Sequence, residues 1–72
     1  MMNLFNCEIC KEYTVLSINT GDEELEQFLF SLGCYRGEPI TVISRRKSSC
    51  VIAVKDGRYS IDRALAGAIA VE

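Results

Sequence analysis

Histidine and tryptophan are absent from the 72 residues of the chain, and proline occurs once. Without an imidazole, catalytic triads that need histidine are excluded, and the commonest protein ligand of transition metals is missing. A chain of this length buries only about 60% of the surface that its unfolded form exposes, so its core is thin and a deep catalytic pocket does not fit it. These features predict one small domain, spanning residues 1–72, that is not an enzyme.

The sequence also lacks an excess of positive charge and a long apolar run. Eight Lys and Arg residues stand against ten Asp and Glu residues, and this net charge of -2 argues against general nucleic-acid binding. The longest apolar stretch, residues 64–71, is far shorter than the roughly 20 residues that a bilayer span requires. Residues 1–6 have neither the basic segment nor the apolar core of a secretion signal. We therefore expect a cytoplasmic protein that inserts into no membrane and binds no nucleic acid.

The remaining pattern is that of a mainly β protein. Segments rich in β-branched residues predict five strands, at residues 13–18, 40–44, 50–54, 58–61 and 68–71. Asp56 and Gly57 predict a type I′ hairpin between the third and fourth strands, and Asp62 caps a short helical turn before the last strand. Five short strands are too few for two stacked sheets of normal size. We therefore expect a small five-stranded, partly open barrel.

One α-helix is predicted after the first strand. Four apolar residues recur at the spacing of a single helix face, namely Leu25, Phe28, Leu29 and Leu32. Thr20 and Glu23 predict a capping box at the start of this helix, and Gly33 suits the left-handed position at its end. Phe30 lies about 140° around the helix from Leu25, so it should face outward, against a neighbouring loop or toward a partner.

The four cysteines divide into two classes. Cys34 and Cys50 are interpreted as small buried apolar residues. Cys7 and Cys10 form a C-x-x-C pair, whose thiolates can bind a soft metal ion such as Fe²⁺ or Zn²⁺ or form a redox dithiol. A structural metal site would need further ligands from Cys34, Cys50, carboxylates or a second chain. Packing at the start of the barrel, a metal site that bridges two chains in a weak oligomer, and a redox switch all remain open, and no cofactor is required.

The order of residues after the helix resembles that of a known family. The run Leu-Phe-Ser-Leu-Gly-Cys-Tyr-Arg-Gly-Glu at residues 29–38, a strand rich in Val and Ile, and the terminal Leu65-Ala66-x-x-Ile69-x-Val71 resemble the FeoA family over residues 4–72. The resemblance implies an SH3-like barrel that acts in the bacterial cytoplasm as an accessory of ferrous iron uptake. It also implies binding to the cytosolic part of FeoB, the GTPase-linked iron permease, and modulation of transport.

The same barrel occurs as the C-terminal domain of iron- and manganese-dependent repressors, whose helical DNA-binding domain has no counterpart in residues 1–72. Phe30, Tyr35 and Arg36 are the predicted partner-binding residues, because the family resemblance and an outward aromatic coincide at the helix exit. The alternative function is a cytosolic metal carrier or sensor that uses Cys7 and Cys10.

Residues 45–49 are predicted to close the second strand as a polar turn, and this turn begins with a basic run, Arg45-Arg46-Lys47. Three adjacent cations could contact the phosphates of RNA or of anionic lipids. The favoured interpretation is a charged hairpin tip that keeps the barrel soluble, because the net-negative chain has no basic face to extend it.

Overall fold

The computed structural model of the chain describes residues 2–72. In chain order the elements are β1 (Glu12–Ile18), α1 (Glu23–Leu32), β2 (Pro39–Arg45), β3 (Ser49–Val54), β4 (Gly57–Asp62), α2 (Arg63–Gly67) and β5 (Ile69–Val71). The strands form one antiparallel sheet in the order β4-β3-β2-β1-β5. The predicted fold, a mainly β, five-stranded SH3-like barrel that is partly open, is confirmed.

The two edges of the sheet are covered differently. β4 and β5 do not pair with each other, and α2 packs against both of them and against β3. Beyond β5 the chain start adds a further pairing, since Leu4 donates its N–H to the Ile69 carbonyl and Asn3 forms a bridge with Ala70. Leu4 is fully buried there. The outer edge of β5 is therefore covered by the N-terminal segment.

The core is entirely apolar. No polar or charged residue among residues 2–72 is buried, whereas alternate residues of β2 and β3 are, including Val42 and Ile52 at 0% exposure. Cys34 and Cys50 belong to this core, as predicted. Burial raises the pKa of the Cys34 thiol to about 11, so this thiol stays protonated at neutral pH. Neither helix within residues 2–72 is both long and apolar enough to cross a membrane.

The hairpin between β3 and β4 is present, but its predicted turn type is wrong. Val54 pairs with Gly57, so the two loop residues are Lys55 and Asp56 rather than Asp56 and Gly57. A type I′ turn needs positive φ at both loop residues, and only Lys55 has it, at 54°. A Cβ at Gly57 would meet the hydroxyl end of the Tyr59 side chain, which would have to move to make room for it.

The start of α1 also differs from the prediction. Asp22, not Thr20, is the N-cap: its Oδ1 accepts hydrogen bonds from the N–H groups of Glu24 at 2.9 Å and Leu25 at 3.4 Å. The Thr20 hydroxyl is instead bonded to both backbone groups of Asp22, so it supports the cap rather than forming it. The end agrees with the prediction, since Gly33 has φ 94°.

The apolar stripe of α1 is less buried than its periodicity predicts. Leu29 is its single buried residue, Leu32 is half-buried, and Leu25 and Phe28 are 41% and 49% exposed. The cause is that α1 packs on the rest of the fold mainly through Leu29, with Leu32 beside the core, so little of the barrel covers the other apolar residues of its stripe. The helix therefore stands on the barrel with much of its apolar face in solvent.

Candidate functional site

An aromatic pair lies where α1 ends. Phe30 is 64% exposed, and its ring centroid is 4.8 Å from that of Tyr35, with the two planes inclined by 33°. The Lys55 ammonium lies 5.4 Å from the centroid of the Tyr35 ring, within the range of a cation–π contact. We call Phe30, Tyr35 and Lys55 the aromatic patch. The predicted outward orientation of Phe30 is confirmed, and the structure brings Tyr35 beside it.

Backbone hydrogen bonds fix the loop that carries Tyr35. Gly33 and Cys34 donate their N–H groups to the carbonyls of Phe30 at 3.0 Å and Leu29 at 2.9 Å, which closes the helix in a left-handed turn. The Cys34 side chain is fully buried and holds the loop against the core. Gly37, with φ 89°, then donates its N–H to the Val15 carbonyl of β1 at 2.8 Å. The loop is thus anchored at both ends of the segment that presents Tyr35.

Lys55 reaches the patch from the β3–β4 hairpin. Its aliphatic stem lies against Gly33 so closely that a Cβ on Gly33 would collide with it. Its ammonium forms an ion pair with the Glu38 carboxylate. A hydrogen bond from Lys55 lowers the pKa of the Glu38 carboxyl, and the same bond raises the pKa of Lys55. Lys55 therefore joins the helix end, the Tyr35 ring and the start of β2.

Of the three predicted partner-binding residues, two are in contact with each other and the third is not part of that contact. Phe30 and Tyr35 are in contact, whereas Arg36 is exposed beside them and forms no ion pair within residues 2–72. Lys55 was missed by the sequence analysis. Its place in the patch depends on the way the β3–β4 hairpin packs against the helix end, and no local pattern in the sequence signals that contact.

Exposed apolar side chains are concentrated on α1. The four large hydrophobic residues with the highest exposure in residues 2–72 are Ile9, Leu25, Phe28 and Phe30. Three of them belong to this one helix, whose first turn is acidic through Glu23, Glu24 and Glu26. Aromatic and aliphatic side chains that remain in solvent on one element are a typical feature of a protein-binding surface.

The two cysteines of the C-x-x-C pair occupy different environments. Cys7 is 3% exposed, with its Sγ 3.8 Å from the Leu4 carbonyl, whereas Cys10 is exposed, with its Sγ 3.7 Å from the Ile43 carbonyl. Burial raises the pKa of the Cys7 thiol, although the charge of Arg45 opposes this effect. No group of three or more His, Cys, Asp or Glu side chains within residues 2–72 is placed to hold a metal ion. The burial of Cys7 agrees with the packing interpretation for that residue, whereas the exposure of Cys10 does not.

A metal site at Cys7 and Cys10 stays a prediction with a direct test. It requires the Cys7 thiol to leave the core and lose its proton, so metal affinity should rise with pH. The hypothesis predicts that a Cys7→Ser/Cys10→Ser variant loses stoichiometric Zn²⁺ or Fe²⁺ binding in an anaerobic titration of the reduced protein. Equal binding by the variant and the parent would contradict it.

Comparison with known protein families identifies the chain. Its sequence matches the model of the FeoA domain over residues 2–72. The chain belongs to the FeoA family. This family is associated with ferrous iron uptake, as the sequence resemblance implied. A comparison with curated proteins gave no match.

Solved structures show the same fold as this FeoA-family chain. The crystal structure of an iron uptake regulatory protein (FeoA) superposes with a TM-score of 0.86 at 27% identity, and the match covers 97% of this chain and 93% of that one. Two manganese-dependent transcriptional repressors, one in complex with manganese, give TM-scores of 0.84 and 0.86 at 21% and 22% identity. This chain spans only 39% and 35% of their lengths, so they share with it a barrel fold within longer proteins.

Proposed function

We propose that the chain is a cytoplasmic accessory protein of ferrous iron uptake, without catalytic activity, that binds the cytosolic part of a FeoB-type GTPase permease and modulates transport. Two findings support this proposal: membership of the FeoA family, and near full-length similarity to a protein described as an iron uptake regulatory protein. The observation that carries the proposed binding surface is Phe30, an exposed ring in contact with the Tyr35 ring at a helix end.

The aromatic patch has the properties of an interface anchor. Phe30 offers a large apolar area, and its contact with Tyr35 already restricts both rings, so binding would cost little side-chain entropy. Charged groups lie near the pair, since Arg36 follows Tyr35 in the chain and is exposed, and the Lys55 ammonium lies over the Tyr35 ring. An apolar centre with a polar rim is the usual anatomy of a protein interface.

The body of α1 exposes further apolar side chains, on another side of the helix from Phe30. Phe28 and Leu25 lie on the same helix, and the acidic first turn would favour a partner surface that carries Lys or Arg opposite it. A helix with one buried residue in ten also has little other reason to expose three large apolar side chains. The proposal assigns the main contact to the aromatic patch at the C-terminal end of α1, because Phe28 and Leu25 lie about 160° and about 140° around the helix from Phe30.

Phe30→Ala should weaken binding to the permease about fivefold or more, which corresponds to about 1 kcal/mol, because an interface aromatic would be lost. The thermal midpoint of the free protein should hardly change, since the ring is exposed. The measurement is calorimetric titration of the reduced protein against the soluble GTPase domain of the permease from the same organism, with and without Fe²⁺.

Phe28→Ala is the matched control for this experiment. It removes the same side chain from the same helix, but two residues away, about 200° around the helix axis. We expect its effect on binding to stay within twofold. Equal losses for both variants would move the contact to the body of α1, and a large fall in the Phe30→Ala midpoint would make that ring structural. Absence of binding by the parent protein would remove the proposed partner.

A further inference from the structure

A β-bulge in β2 controls which side chains of the second half of this strand reach solvent. Val42 pairs with Ile52, but the next pair is Ser44 with Val51, so Ile43 is an extra residue on this strand. Because side chains alternate between the faces of a sheet, one extra residue reverses the orientation of those that follow. Ser44 therefore lies beside Val51 on the outer face. A regular strand would have turned it toward the core.

The same reversal turns Arg45, rather than Arg46, toward the core. Arg45 pairs with the buried Cys50, and its guanidinium donates to the Cys7 carbonyl and lies 5.8 Å from the Phe5 ring. The polar turn predicted at residues 45–49 is thus wrong for Arg45, which ends β2 and is half-buried, and for Ser49, which begins β3. Arg46 emerges exposed, and no carboxylate within residues 2–72 forms an ion pair with it.

Three serine side chains lie near Arg46 on the outer face of the sheet. Ser44 and Ser60 flank Val51 in one row across three strands. Arg46 donates its backbone N–H to the Ser49 carbonyl at 2.8 Å, which places these two residues in the next row. The four polar residues line one open cleft of about 310 Å³. Within residues 2–72 the three serine hydroxyls form no intramolecular hydrogen bond.

The acidic residue that lies nearest to this cleft along the strands already accepts a hydrogen bond from α2. Asp62 pairs with Ser49, but its Oδ1 accepts a hydrogen bond from the Leu65 N–H at 2.7 Å and caps α2. Asp62 also lines a different cavity, which it shares with Leu65 and Ala68. The cleft itself contains a guanidinium without a counter-ion and three hydroxyl donors. A guanidinium pairs with two oxygens of a phosphate, and hydroxyls donate to the others.

We propose that this cleft binds a phosphate group, with Arg46 as its charged anchor and the hydroxyls of Ser44, Ser49 and Ser60 as additional donors. Arg46 supplies most of the attraction, because it brings the only charge of the lining, and Lys47 adds positive charge at the rim of the hairpin. The phosphate belongs to a small soluble ester or to a lipid headgroup, which present the same oxygens to the cleft. The site is independent of the aromatic patch and of the proposed partner.

The test is an NMR titration of the ¹⁵N-labelled protein with inorganic phosphate and with glycerol 3-phosphate. We expect saturable shifts at the amides of residues 44–51 and 60. Arg46→Gln should weaken binding tenfold or more, and Ser60→Ala two- to threefold. The matched control is Arg58→Gln, which removes the same charge from an exposed arginine paired with Ala53, outside the cleft. We expect its effect to stay within twofold.

Sedimentation with vesicles distinguishes the two phosphate sources. Binding to phosphatidylglycerol vesicles but not to phosphatidylcholine vesicles, abolished by Arg46→Gln and retained by Arg58→Gln, would identify a lipid headgroup. Phosphate-ester binding without vesicle binding would identify a soluble ligand. Absence of saturable shifts at these amides, or equal losses for Arg46→Gln and Arg58→Gln, would overturn the proposal, since attraction by net charge alone does not depend on the cleft.

Discussion

Leu29→Ala should lower the free energy of unfolding by about 2 to 5 kcal/mol, the usual cost of removing a fully buried leucine. Leu29 is 0% exposed and is the single buried residue of α1. Its loss therefore removes the anchor of the whole helix, besides leaving a cavity in the core. The measurement is urea unfolding of parent and variant, followed by far-UV circular dichroism, with the midpoint and slope compared at the same pH.

Leu25→Ala is the control that isolates burial. It makes the same substitution on the same helix, but Leu25 is 41% exposed, so the loss should stay below about 1 kcal/mol. If α1 is held through Leu29, Leu29→Ala should also weaken partner binding, because Phe30 directly follows Leu29 and is positioned by the same turn. Similar losses of stability for Leu25→Ala and Leu29→Ala would show that the helix is anchored along its whole stripe.

The sequence predicted the strands well because each depends on short-range patterns. The segments rich in β-branched residues fall within the observed strands β1 to β4, and Asp62 caps α2 as expected. The prediction for α1 was less accurate, since periodicity identifies an apolar face but not how much of that face the rest of the fold covers. That coverage depends on how the helix packs on the barrel, which is a tertiary property.

Two details of the sheet could not be predicted from local sequence patterns. Asp56 and Gly57 resemble a type I′ turn, yet pairing of Val54 with Gly57 shifts the loop by one residue, because cross-strand contacts along β3 and β4 fix the register. The bulge at Ile43 likewise has no clear local signal, since residues 40–44 are apolar on both faces in the middle. Its consequence, that Arg45 rather than Arg46 turns inward, could not be predicted from a run of three cations.

The aromatic patch also combines residues that local sequence patterns predict with one that depends on tertiary packing. Phe30 could be placed outward from its angle on the helix, and Tyr35 from its position just after the helix end. Lys55 could not, because it is 20 positions farther along the chain (55-35) and meets Tyr35 only once the β3–β4 hairpin packs against the loop. Because the Lys55 stem lies directly against Gly33, any side chain at position 33 would disturb the contact between Lys55 and Tyr35.

Gly33→Ala should destabilise the protein by about 1 to 2 kcal/mol through backbone conformation alone, since Gly33 has φ 94° and an L side chain there is strained. A second cost follows, because the new Cβ would collide with the Lys55 stem and push it from Tyr35 and Glu38. We therefore expect a loss of stability together with shifted NMR signals of Tyr35. Urea unfolding and the aromatic spectrum measure the two effects separately.

Other glycines of the chain allow the two costs of Gly33→Ala to be separated. Gly21 also has positive φ, at 73°, but a Cβ there meets no atom within 4 Å, so Gly21→Ala reports conformational strain without collision. Gly67 has neither feature, and Gly67→Ala should leave stability unchanged or raise it slightly. A Gly33→Ala/Lys55→Ala variant should recover the part of the loss that is due to collision. If it recovers nothing, Gly33 is required for its backbone conformation alone, and Lys55 reaches Tyr35 independently of the helix end.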